Sequence, residues 1–153
     1  MKRRRFLAGT GAALAGGALP ALAQSPRFQP AQDIAPLVQR LTGGVAPEQG
    51  GIEIELPQIA ENGNSVPLRV AVEGPMTEAD HVAALHLIAE RNPRPLVGTF
   101  HLGPGNGRAE IRTRIRLAGT QRFTVLAALS GNRFRMAQID VLVTSAACLD
   151  ESL

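Results

Sequence analysis

Ile52-Glu53-Ile54-Glu55-Leu56 and, beyond the turn signal Asn62-Gly63-Asn64, Val66-Pro67-Leu68-Arg69-Val70-Ala71-Val72 set an apolar side chain at every second position. Successive side chains of a strand point to opposite faces, so this period predicts strands with one face buried. The same period recurs outward from this stretch. Ile111, Thr113, Ile115 and Leu117 alternate with Arg112, Arg114 and Arg116, and Ala137, Ile139, Val141 and Val143 share one face. Val97 to Leu102 ends in the turn-rich Gly103-Pro104-Gly105-Asn106-Gly107, and Phe123–Leu129 and Arg133–Val143 flank the hairpin signal Ser130-Gly131-Asn132. These runs, with turns at short regular spacing, predict an all-β chain: an immunoglobulin-like β-sandwich of about seven strands. There is no tryptophan and only one cysteine, so the core rests on Val, Ile, Leu and a few Phe.

Two segments depart from the pattern. Ile34, Leu37, Val38 and Leu41 recur at helical spacing, with Asp33 as N-cap and Gly43-Gly44 past the end, and predict a short N-terminal helix. Thr77-Glu78-Ala79-Asp80-His81, followed by Val82, Leu85 and Ala89, has two readings. Its Ala, Leu and Glu content and the Thr77/Asp80 spacing suit a capped helix. The surrounding strands suit a strand buried on both faces and stopped by Asn92-Pro93-Arg94-Pro95. Composition leaves the two open.

The chain has 153 residues and a formal charge of +3. Much of that charge lies at the start, in Lys2, Arg3, Arg4 and Arg5, ahead of Phe6-Leu7 and an Ala/Gly-rich run ending in Ala21-Leu22-Ala23. This pattern predicts a twin-arginine signal peptide over residues 1–23, hence export to a bacterial periplasm. Four of the sixteen basic residues lie in it, leaving twelve against thirteen acidic ones. A nearly neutral mature chain gives no basis for a nucleic-acid partner, and no segment of it suits insertion in a membrane. The expected organisation is signal 1–23, flexible leader 24–32, sandwich 33–143 and a mobile C-terminal arm 144–153.

Few residues offer chemistry. His81, His86 and His101 lack metal-ligand spacing, so neither a metal nor a cofactor is expected. Gly103, Gly105 and Gly107 lie between strands, without the helix start that a phosphate loop needs. The row Arg112, Arg114, Arg116 reads as the solvated side of a half-buried strand, with an anion or acidic-partner face as its rival. No serine or acid pair has a catalytic setting. Cys148 stands apart: it lies five residues past Val143, in a tail without core patterning, and an extended tether at roughly 3.3 Å per residue carries its sulfur about 16 Å beyond the strand. An unpaired exported thiol is open to oxidation, which favours a role for it.

Leu56-Pro57-Gln58-Ile59-Ala60-Glu61-Asn62-Gly63-Asn64-Ser65-Val66-Pro67, Arg91-Asn92-Pro93-Arg94-Pro95 and Thr113-Arg114-Ile115-Arg116-Leu117-Ala118-Gly119-Thr120-Gln121 resemble the SoxY family, the sulfur carriers of periplasmic thiosulfate oxidation. The resemblance runs from about residue 31 to Cys148. It implies an immunoglobulin-like fold, which turns Val82–Ala89 toward strand. It also implies a heterodimer with a SoxZ-type subunit exported together with this chain, and a carrier role without catalysis, in which Cys148 is the covalent attachment point visited by periplasmic sulfur-processing enzymes. The family's arm ends in Gly-Gly-Cys-Gly-Gly. Here Ser145 precedes Ala146-Ala147-Cys148-Leu149-Asp150, closer to a SoxY-related group whose arm reads Ala-Ala-Cys-Ile-Glu. Alanine removes conformational latitude that glycine has, and Leu149 is bulky where glycine would pass. The rival reading is a non-catalytic binding subunit with an incidental cysteine. A stand-alone thiol enzyme would need a base such as His101 brought close by the fold.

Overall fold

The alternation at Ile52 and Ile54 is used as the sequence suggests: both pair across an antiparallel ladder with Val72 and Val70, and their side chains pack on the core. The structure, a computed structural model, describes residues 30–147. The predicted signal peptide, most of the leader and the last six positions lie outside the described residues. One helix, α1 (Ala35–Thr42), precedes nine strands: β1 (Glu48–Gln49), β2 (Ile52–Glu55), β3 (Ile59–Ala60), β4 (Val66–Val72), β5 (Val82–Ala89), β6 (Leu96–His101), β7 (Ala109–Ile115), β8 (Gln121–Leu129) and β9 (Arg133–Val143). The seven longer strands are the seven expected ones. The two-residue strands β1 and β3 are additions, too short to show a period.

The strands form two sheets. One runs β1-β9-β8-β5-β6 with β3 also on β9, and the other runs β2-β4-β7. β1 and β3 pair in parallel with the two ends of β9, and β2 crosses to the other sheet between them. The core lies between the sheets. Val66, Leu68, Val70, Ile111 and Ile115 of the smaller sheet meet Leu85, Leu87, Phe123, Val125 and Val141 of the larger one.

Val82–Ala89 is a strand. It is flanked by β8 on one side and β6 on the other, and every residue from Ala84 to Ala89 is buried. Burial on both faces removes the alternation, which is why composition alone resembled a helix. The capping-type bonds are present but close a loop instead: Asp80 N–H donates to Thr77 Oγ1 at 3.0 Å, and Thr77 N–H donates to the Asp80 carbonyl at 2.9 Å. At α1, Asp33 Oδ1 accepts the Ala35 N–H at 2.9 Å, and Gly43 ends the helix at φ 62°. The leader is held at its end, since Gln32 N–H donates to the Glu90 carbonyl at 2.8 Å. The expected flexibility therefore does not extend to residue 32.

The glycine run at 103–107 makes a loop between the sheets, closed by Gly103 N–H donating to Asn106 Oδ1 at 2.9 Å. The arginine row faces outward, and a neighbouring charge lattice occupies the same face. Arg69 lies in the middle of the smaller sheet and forms two parallel bonds to Glu110, each 3.0 Å, while reaching Glu55 at 2.6 Å and Glu53 at 3.3 Å. Arg112 closes on Glu110 at 2.9 Å. The solvated-strand reading of the row is the one the structure supports.

The hydrogen bond from Arg69, reinforced by Arg112, holds the Glu110 carboxyl down to about 2 from an ordinary 4.5. A carboxyl depressed in the folded chain stabilises it fully above the unfolded value and loses that contribution as pH falls through the folded one. The melting-temperature difference between the natural chain and Glu110→Gln is therefore expected to be constant above about pH 5. It should shrink between about pH 4.5 and 2, and added salt should reduce it throughout. A difference that does not change across that range would show that the lattice contributes nothing to stability.

Candidate functional site at the root of the C-terminal segment

β9 does not release the chain at Val143. Leu142 N–H donates to the Gln58 carbonyl at 2.8 Å and Thr144 N–H to the Ala60 carbonyl at 3.0 Å, continuing the parallel pairing with β3. The Thr144 hydroxyl donates to the Glu61 carbonyl at 3.1 Å. Three backbone bonds then join separate parts of the chain. Gly63 N–H donates to the Ser145 carbonyl at 2.7 Å, Leu117 N–H to the Gly63 carbonyl at 2.8 Å, and Ala147 N–H to the Leu117 carbonyl at 3.0 Å. Ala147 is 7% exposed and Leu117 fully buried, while Ser145 and Ala146 face solvent.

Glycine at 63 is required by close approach. A Cβ there would overlap the Leu117 carbonyl oxygen and lie 2.9 Å from the Ala147 nitrogen and 3.0 Å from the Ser145 oxygen. Those neighbours are backbone atoms, which cannot turn aside as a flexible side chain would.

The turn around Leu117 is fixed from its other side by Asn92, which is 5% exposed. Asn92 Nδ2–H donates to the Arg116 carbonyl at 2.9 Å, and its Oδ1 accepts from Ala118 N–H at 3.0 Å and from Gln121 Nε2 at 3.2 Å. Gln121 Oε1 accepts the Arg91 N–H at 2.8 Å. Thr120 Oγ1 accepts the Val143 N–H at 2.9 Å. Gln32 Nε2 donates to the Asn92 carbonyl at 2.7 Å. The three separated stretches that carry the family resemblance thus meet at one end of the sandwich, and the fourth participant is the C-terminal segment. Directly before that root, Ile59 and Leu142 oppose each other across β3 and β9, and both are exposed, 59% and 47%.

Of the residues singled out in the sequence, Ser145, Ala146 and Ala147 are described, and Cys148, Leu149 and Asp150 lie outside the described residues. The first residues of the expected arm, 144–147, are tied to the sandwich by these bonds. Their anchorage uses backbone groups, which any residue type supplies, and so left no apolar pattern to read. The sequence marks Gly63 as a turn residue, Asn92 as part of a strand stop and Leu117 as one of an alternating row, and none of them, nor Thr120, as a support of the C-terminal segment. The signal that could have found them is Asn92 followed by proline, a buried amide that stops a strand.

The histidines do not serve this end. His101 and Ala128 both pair with Ala84, at the opposite end of β8 from Gln121. Seven residues at roughly 3.3 Å each separate the two levels by about 23 Å. His86 is buried and shares a hydrogen bond with Thr99 Oγ1 at 2.9 Å. Burial pushes it below its usual range, with His101 adding to the effect. His81 contacts the Thr77 carbonyl at 3.1 Å. Among the described residues no group of three or more His, Cys, Asp or Glu could hold a metal ion, and no helix is long and apolar enough to cross a membrane.

The distinctive motifs of this immunoglobulin-like sandwich all converge on the exit of its C-terminal residues. The chain belongs to the SoxY family, described as sulfur oxidation protein SoxY, which matches residues 38–148. It is similar to the solved sulfur carrier protein SoxY from Chlorobium limicola f thiosulfatophilum: 28% identity, TM-score 0.59, covering 71% of this chain and 94% of that one. A superoxide reductase (neelaredoxin) from Ignicoccus hospitalis shares the fold at 17% identity and TM-score 0.55, covering 61% of this chain and 80% of that one. A putative superoxide reductase from Thermotoga maritima does so at 16% and 0.52, covering 64% and 87%. No curated protein matches the chain by sequence.

Asn92→Ala is expected to cost roughly 1–3 kcal/mol, because the Arg116 carbonyl, the Ala118 N–H and the Gln121 amide lose a buried partner together. Urea denaturation of the natural chain and the variant measures it. A variant as stable as the natural chain would show that water replaces the amide without loss.

Proposed function

We propose that the protein carries an inorganic sulfur species covalently on Cys148 and presents it to enzymes of the periplasm, without catalysing the chemistry itself. The observation that carries this reading is the family match, which runs to Cys148 and takes in all three motifs that fix the chain just before it. Loading is an exchange at sulfur. The Cys148 thiolate attacks a donor sulfur, the new S–S bond forms as the donor's bond to its leaving group breaks, and that group departs with the electron pair. Release is the same displacement in reverse at an enzyme's acceptor. No oxidant is consumed in either step.

Location and partners follow the same reading. The Arg3-Arg4 signal supports export through the twin-arginine route, and a SoxZ-type subunit is the proposed heterodimer partner. β6 is suited to receive it. Among the described residues it ends the larger sheet and pairs with β5 alone, and it holds no charged side chain from Leu96 to Phe100 to oppose an added strand. Ile59 and Leu142 supply apolar contact for an enzyme that approaches Cys148.

Intact-mass and peptide mass spectrometry of protein taken from its own periplasm are expected to show sulfur adducts confined to the Cys148 peptide and absent from Cys148→Ser. An unmodified thiol under sulfur-oxidising growth would overturn the reading. Substitution is preferred to deletion of residues 145–153, because deletion would also remove the buried Ala147 and the partners of Gly63 and Leu117. A SoxZ-type chain co-purifying with the periplasmic protein tests the heterodimer, and isolation of a lone chain would refute it.

A further inference from the structure

We infer that Asn106-Gly107 is a site of spontaneous backbone modification, at which the folded chain loses the asparagine amide, while the other Asn-Gly pair, Asn62-Gly63, is protected by the fold. This site owes nothing to the carrier reading. Of the five asparagines only these two precede glycine, which has no side chain to keep its nitrogen from a neighbouring carbonyl carbon. Asn92 precedes proline, whose nitrogen has no proton to lose, and Asn64 and Asn132 precede residues with side chains. The reaction is a cyclisation. The Gly107 nitrogen gives up its proton and attacks Asn106 Cγ. The new C–N bond forms as the Cγ–Nδ2 bond breaks, and ammonia departs. Water then opens the succinimide ring, at Cγ to leave aspartate or at the main-chain carbonyl to leave isoaspartate. One water enters, one ammonia leaves, and nothing is oxidised or reduced.

The fold treats the two pairs differently. Asn106, Gly107 and Arg108 are exposed, at the end of a single 3-10 turn, Pro104–Asn106, between β6 and β7. The Gly107 N–H donates to the Pro104 carbonyl at 3.2 Å, and nothing lies within 4 Å of the place where a side chain on Gly107 would begin. Gly103 N–H donates to Asn106 Oδ1 at 2.9 Å, close enough to stabilise the negative charge that gathers on that oxygen as the ring closes. Asn62 Oδ1 has a similar donor, Asn64 N–H at 2.9 Å, but its nucleophile is not free. Gly63 is buried, its N–H is bonded at 2.7 Å, and the Leu117 carbonyl oxygen fills the space beside its α-carbon. Opening one exposed turn costs far less than opening a buried crossing of the backbone. The two products differ in their effect. Aspartate keeps Oδ1 in place for Gly103 and adds a negative charge. Isoaspartate adds a methylene to the main chain where it passes between the sheets, and moves the carboxylate away from the Gly103 N–H.

Peptide mass spectrometry of the full exported chain, kept folded at mildly alkaline pH and sampled over weeks, tests this beside a parallel series in concentrated urea. In the folded chain Asn106 is expected to convert to aspartate and isoaspartate at least about tenfold faster than Asn62. In urea, where neither pair keeps its structure, the two should convert at similar rates. Asn106→Gln should remove the product at 106 and leave Asn62 unchanged in both series. Gly107→Ala should slow conversion at 106 in urea while Asn62 keeps its natural rate. That comparison holds whether or not the variant folds, which matters because Gly107 sits at φ 68°. An Asn106 that keeps its amide in the folded chain while converting in urea overturns the inference. Folded-state conversion of Asn62 at the rate of Asn106 overturns it equally.

Discussion

The connection from β7 to β8 leaves one sheet and enters the other across the end of the core, and its backbone polar groups must find partners there. A buried peptide group without a partner costs on the order of a hydrogen bond or more, so such a crossing is stable only when each N–H and carbonyl is answered. Leu117 plugs the core at this point and is fully buried. Its N–H and carbonyl are taken by Gly63 and Ala147, the neighbouring groups of Arg116 and Ala118 by Asn92, and the Thr120 hydroxyl by Val143. Closing this end of the sandwich and anchoring the C-terminal segment therefore draw on the same backbone bonds. The segment that leads to Cys148 forms part of the lid on the core.

This arrangement couples stability to presentation. In a scaffold with a free arm, substitutions in the core change the melting temperature and leave the arm alone. Here a change at Leu117 reaches Ala147 through a single hydrogen bond, and a change at Asn92 reaches it through the backbone on either side of Leu117. Local opening of the root requires breaking the bonds from Gly63 and Thr144 but leaves the β5–β8–β9 ladder untouched, so it lies far below global unfolding in cost.

The fold was legible where burial is one-sided. β2, β4, β7 and β9 alternate because each puts one face in the core, and Ser130-Gly131-Asn132 was readable because the hairpin needs positive φ at Gly131 and Asn132, which these residues tolerate. β5 was ambiguous because both of its faces are covered. β1 and β3 were invisible because two residues of parallel pairing carry no period. The root of the arm was hidden for a different reason: its bonds run between backbone atoms, and the residues that permit them declare themselves by what they lack. Gly63 looked like a turn glycine, yet its backbone is not among those with positive φ, and its role is to leave room.

The departure from a Gly-Gly-Cys-Gly-Gly arm acquires a physical meaning from this geometry. A swinging tether gains from glycine, whose backbone visits more conformations. An anchored one gains from alanine, which loses less entropy on being fixed, by about 0.4–1 kcal/mol per position. At 147 the methyl group is buried as well, and burial of one such group adds about 0.8 kcal/mol. Together, Ala146 and Ala147 favour the held state over a glycine pair by roughly 2 kcal/mol, more than a tenfold shift in the balance between held and released arm. The alanines and Gly63 act in the same direction: alanine stands at 146 and 147, where glycine would loosen the root, and glycine stands at 63, where only a glycine lets the root close.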